Sequence, residues 1–269
     1  MEACIELSEL MMRIATHVIC HTLVDYQEQL GEERLSIAHA MLQRVMTTHL
    51  CNHRLTADGL VYEYKGQPFE LHEEYKTMTL TRSVYEHLAM FYFLFEHPKT
   101  DDERDIVWKY WQIGSCMSLQ DSQGVEDLRR DIQSTMIGMQ CWQKLDEWTR
   151  VGATPANGSI EFVVRNGKYD VRRVPFGQAW KYLFADEGMA LFYRHLSMHC
   201  HPVYQGLVQY QGQGTADQGH DGIPLYFSCR FLAQLCRLFL KQIPDGQDIL
   251  RREFSERDLS LFHDLSRSK

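Results

Sequence analysis

Residues Glu73–Glu96, EEYKTMTLTRSVYEHLAMFYFLFE, decide how the chain is read. At about 100° per residue, Leu80, Val84, Leu88, Phe91 and Phe95 fall in one narrow stripe, and Tyr75 and Phe93 lie about 220° round from Leu80. A helix that is apolar on two sides is surrounded by neighbours, so this segment reads as the centre of a helical bundle. His97-Pro98 stops it, and Thr100 or Asp101 caps the next helix, expected from Asp102 to about Leu119. Another is expected from Asp121 or Ser122 to about Arg150.

Upstream, Leu7, Leu10, Met11, Ile14, Val18 and Leu23 recur at helical spacing and predict a helix from about Glu6 to Gln29. Gly31 interrupts it. Leu35, Ala38, Leu42, Val45 and Met46 predict a second helix from Glu32 to about Leu50, antiparallel to the first. Leu60–Tyr64 and Pro68–Leu71, around Lys65-Gly66-Gln67, read as a small hairpin or extended loop. Downstream, Gly152–Gly158 is the clearest linker. Ile160–Arg165, Asn166-Gly167 and Lys168–Val174 carry the strongest hairpin signal, because Asn-Gly suits a type I′ turn. Helix is expected again at about Gly177–Phe184, Glu187–His199, Pro224–Gln242 and after Ser255. The expected fold is all-α: a helical bundle with one or two small inserted β-hairpins. We expect a single helical domain over residues 1–269, with a hairpin insertion at about 159–174 and a flexible Gly/Gln-rich loop at about 205–222.

Composition narrows the setting. A chain of 269 residues that is 44% hydrophobic and 24% charged is neither disordered nor fibrous. It contains no run of about 18 apolar residues, so no membrane partner is expected. Glu2, Glu6 and Glu9 stand where an export signal carries positive charge. The eight cysteines form no CxxC pair and read as thiols in a reducing, cytoplasmic setting. A net charge of −8 argues against broad non-specific affinity for nucleic acid.

Three features could carry chemistry. The first is the helix pair Arg82 and Glu86, i,i+4 partners that read as a half-buried ion pair or as groups orienting a histidine. The second is the segment ending in Tyr193-Arg194-His195-Leu196-Ser197-Met198-His199-Cys200-His201-Pro202. On a continued helix Tyr193, Ser197, His201 and Arg194 share an arc of about 100°. A guanidinium there can hold a phosphate and an imidazole can exchange protons, or the same groups can satisfy one another as a polar seam. His195 and His199 have metal-ligand spacing, but His201 lies about 240° round from His195 and no HExxH is present, so no metal or cofactor is expected. The third is the set of basic residues Arg165, Lys168, Arg172 and Arg173 on the second hairpin, read as a solvated face that could contact phosphate.

Arg82-x-x-x-Glu86, followed much later by Tyr193-x-x-Leu196-Ser197-x-x-x-His201-Pro202, resembles a family of bacterial all-helical proteins similar to HEPN (higher eukaryotes and prokaryotes nucleotide-binding) domains. The resemblance covers about residues 75–97 and 185–202. It implies a helical bundle, commonly dimeric, whose relatives include metal-independent ribonucleases of toxin and phage-defence systems. Their signature is Arg, four to six residues, then His. In the mechanism it implies, an RNA 2′-hydroxyl attacks the adjacent phosphate, with His as acid and base and Arg steadying the phosphorane. Six Arg/His pairs fit the spacing, and only Arg194/His201 has the six-residue gap that brings both groups within about 20° on a helix. His195 follows Arg194 where nuclease members often carry Asn or Asp. Two functions stand as expectations. One is a non-catalytic bundle that binds a ligand or partner protein. The alternative is a HEPN-like ribonuclease acting on RNA, with Arg194 and His201 catalytic and Ser197, Tyr193, Arg82 and Glu86 in support.

Overall fold

The computed structural model describes residues 1–71, 74–117, 123–139, 142–143, 145, 159–165, 168–184, 186–200 and 222–267. In chain order the helices are α1 (Glu2–Asp25), α2 (Glu33–Asp58), α3 (Glu74–Phe91), α4 (Asp101–Met117), α5 (Gln123–Ile137), α6 (Phe176–Leu183), α7 (Gly188–Cys200), α8 (Ile223–Leu240), α9 (Gly246–Arg251) and α10 (Glu256–Ser266). The architecture is all-α, accompanied by two short antiparallel strand pairs. Strand β1 (Leu60–Tyr64) pairs with β2 (Gln67–Leu71) in the register Leu60↔Leu71 to Tyr64↔Gln67, and β3 (Ser159–Arg165) pairs with β4 (Lys168–Val174). Between β1 and β2, Lys65 and Gly66 both take positive φ, 53° and 74°, as a type I′ turn requires. The expected linker at 152–158, the Asn166-Gly167 turn and residues 205–221 of the expected loop lie outside the described residues.

The chain forms two compact units, Met1–Leu88 with Phe184–Lys269, and Ala89–Leu183. In the first, α1, α2 and α10 pack on α8. Thirteen of the eighteen residues of α8 are buried, so α8 forms the middle of this unit. The sequence pattern had given that place to α3. That helix does bury Met78, Val84, Tyr85 and Leu88, but the side carrying Arg82, Ser83, Glu86 and His87 is only half-buried. Among the described residues, α8 is also the one helix long and apolar enough to cross a membrane by length and composition, and 72% of that window is buried within the fold.

Helix α2 runs eight residues past the expected end near Leu50. Its buried face continues as His49, Asn52 and His53, polar side chains that an apolar count does not register. Gly59, at φ 65°, follows its last residue. Near the C-terminus Ser255 caps α10, its hydroxyl accepting the Asp258 N–H at 3.2 Å.

In the second unit the chain passes through a π-helical turn, Tyr92–Glu96, where Phe93 meets Tyr182 edge-on at 5.0 Å. Helix α4 begins with a reciprocal cap. The Thr100 hydroxyl accepts the Glu103 N–H at 3.2 Å, and the Glu103 carboxylate accepts the Lys99 N–H at 2.6 Å. Helices α4 and α5 bury Ile106, Tyr110, Ile132, Met136 and Leu145 together. Helix α5 ends at Ile137, short of the expected Arg150, because Gly138 follows and favours leaving the helix. All five tryptophans of the sequence fall between Ala89 and Leu183.

Candidate functional site

Helices α3 and α7 bring Arg82, Glu86 and Tyr193 together in the first unit. Arg82 and Glu86 sit one turn apart, so the guanidinium reaches forward along its own helix and Nε donates to Glu86 Oε1 at 2.7 Å. The Tyr193 hydroxyl, 107 residues away in sequence, donates to the same oxygen at 2.9 Å. The Arg82 guanidinium lies over the Tyr193 ring, 5.6 Å from its centroid. That ring packs against Tyr85 at 5.0 Å, and Tyr85 against Phe231 of α8 at 5.4 Å. The Arg82 and Glu86 side chains keep 21% and 26% of their exposure, so the pair is partly shielded from solvent.

Electrostatics follow from this packing. Burial alone would lower the Arg82 pKa, but the hydrogen bond and charge of Glu86 outweigh it and hold the guanidinium above its ordinary value. Burial, followed by the charge of Glu86, pushes the Tyr193 phenol up to about 12, with Arg82 partly opposing. Tyr193 is therefore a neutral donor at every physiological pH. His87, on the turn after Arg82, has its pKa lowered, first by burial. Its Nδ1–H donates to the Ser83 carbonyl at 2.7 Å.

Neither Ser197 nor Arg194 joins this cluster, while the Cys200 thiol of α7 also lies within hydrogen-bonding reach of Arg82. The Ser197 hydroxyl donates to the Tyr193 carbonyl at 2.8 Å, within its own helix. Cys200 donates to the Leu196 carbonyl at 3.2 Å and approaches Thr79 Oγ1 at 3.7 Å. Arg194 is exposed and has no hydrogen-bond or ion-pair partner among the described residues. His201 and the His199 side chain lie outside the described residues. Among the described residues no three His, Cys, Asp or Glu side chains are arranged to hold a metal ion.

A second polar cluster, missed in the sequence, lies in the core of the same unit. His49 is fully buried. Its Nε2 is 2.9 Å from Ser8 Oγ of α1 and its Nδ1 is 2.7 Å from Ser228 Oγ of α8. His53 places Nδ1 3.0 Å from the same Ser8 hydroxyl. Asn52 Nδ2 donates to Thr81 Oγ1 at 2.9 Å, and Thr81 donates to the Pro224 carbonyl at 3.0 Å. Four helices are thus joined by side-chain hydrogen bonds. The one signal in the sequence is the i,i+4 spacing of His49 and His53, which straddles the expected end of the second helix near Leu50.

Comparison with protein-family models, curated proteins and solved structures finds no match to this chain.

Proposed function

We propose that this protein is a non-catalytic helical bundle that binds a ligand or a partner protein, with Arg82, Glu86 and Tyr193 as a structural polar seam. The observation that carries this reading is the double engagement of Glu86 Oε1. One oxygen accepts from both Arg82 and Tyr193, and Ser197 spends its hydroxyl on a helix carbonyl. Buried polar groups that satisfy one another stabilise a fold, whereas a catalytic constellation leaves a donor or base directed at substrate.

Under this reading the purified protein leaves single-stranded RNA intact in EDTA, and Glu86→Gln lowers its melting temperature. The second reading, a HEPN-like metal-independent ribonuclease, draws on the exposed Arg194 guanidinium, which has no partner among the described residues. RNA cleavage in EDTA that His201→Ala abolishes at unchanged melting temperature overturns the binding reading in favour of the nuclease.

A further inference from the structure

Three buried histidines lie along the seam where α1 meets α2. His39 points Nε2 at the Ile19 carbonyl of α1 at 3.3 Å, while His49 and His53 share the Ser8 hydroxyl of α1. All three are buried, His49 completely. The groups facing His49 are His53 on its own helix, Ser8 on α1 and Ser228 on α8. Cys229 of α8 also contacts Ser8, with Cys4 of α1 beside it, and burial pushes the Cys229 thiol up to about 12, so it stays uncharged. Among the described residues no carboxylate pairs with His39, His49 or His53. A neutral imidazole suits this place, since one ring nitrogen donates and the other accepts. Two ordered chains result: His53 to Ser8 to His49 to Ser228, or the reverse. A cationic His49 would hold its charge away from water with no anion to offset it.

We propose that the Ser8–His49–Ser228 bridge is a proton-sensitive latch: acidification charges His49 and releases α1 from α2 and α8, uncovering the apolar stripe Leu10, Met11, Ile14 and Val18.

Desolvation, with the neighbouring His53 adding to it, lowers the His49 pKa from 6.5 to about 3 in the closed bundle. Opening returns the ring to water and to its ordinary pKa. The open form therefore takes up a proton between about pH 6.5 and 3 that the closed form refuses. Closure is unaffected above that window and weakens steadily as pH falls through it. Relative to pH 7.5, the opening equilibrium at pH 5 rises about thirtyfold.

Hydrogen exchange on the full chain, corrected for the intrinsic pH dependence of exchange, tests this. Amides of α1, α2 and α8 should lose about thirtyfold in protection between pH 7.5 and 5. His49→Gln, which remains polar but cannot titrate, should abolish most of that loss. An equal loss in the variant, or none in the wild type, overturns the latch. If His49→Gln does not fold, wild-type imidazole NMR decides the matter. A His49 signal that stays neutral through pH 5 supports the latch, and one titrating near 6.5 overturns it.

Discussion

Tyr193→Phe removes the phenol hydroxyl that Glu86 and Arg82 share in the Arg82–Glu86–Tyr193 cluster. The ring contacts survive the substitution, since Tyr85 and the Arg82 guanidinium lie 5.0 and 5.6 Å from the ring centroid. What disappears is an O–H donor 2.9 Å from a carboxylate oxygen. A hydrogen bond to a charged acceptor contributes about 1.5–3 kcal/mol when shielded, and the partial exposure here brings the expected loss to about 1–2 kcal/mol. Urea denaturation of wild type, Tyr193→Phe, Glu86→Gln and the double variant measures the coupling directly. In the Glu86→Gln background the cost of losing the hydroxyl should fall to about 0.5 kcal/mol or less. pH supplies a second check. The Tyr193 pKa rises from 10 to about 12 on folding. Its protonated form is therefore favoured by the fold, and that contribution is complete below pH 10 and lost only as pH climbs towards 12. The wild-type advantage over Tyr193→Phe should stay flat from pH 7 to 9.5. An additive double variant, or a Tyr193→Phe protein as stable as wild type, would refute the assignment of Glu86 as the shared acceptor.

Other perturbations have equally definite outcomes. A Cβ at Gly246 would collide with the Leu240 carbonyl oxygen and sit 3.0 Å from Ile243, so Gly246→Ala should lower stability by about 1–3 kcal/mol in thermal denaturation. Ser255→Ala removes the acceptor for the Asp258 N–H and should cost about 1 kcal/mol by the same assay. Phe231, fully buried between Tyr85 and Phe184, should cost about 3–5 kcal/mol when replaced by alanine, read as a drop in urea midpoint at unchanged slope.

The apolar helices were legible because their residues repeat at helical spacing. Leu10, Met11, Ile14 and Val18 of α1 are all buried where that spacing places them, and the Arg82–Glu86 pair follows from an i,i+4 gap. Features set by tertiary partners were not legible. Nothing local tells Tyr193 to meet Glu86 across 107 residues, or Ser228 to meet His49 across 179. The polar lining of α2 hid the helix's last eight residues. The centre of the first unit was misplaced for a related reason. Helix α3 is apolar on two sides, but Arg82 and Glu86 keep one side partly open to solvent, whereas α8, with Ser228, Gln234 and two cysteines among its buried residues, is covered nearly all round.

The confinement of every tryptophan to residues 89–183 has a practical consequence for optical work on this chain. Indole emission reports the surroundings of that unit, while the other unit, which holds no tryptophan, is followed through signals of its own such as the imidazoles of His39, His49 and His53. A fluorescence trace read as the behaviour of the entire molecule would assign to the whole what belongs to one part.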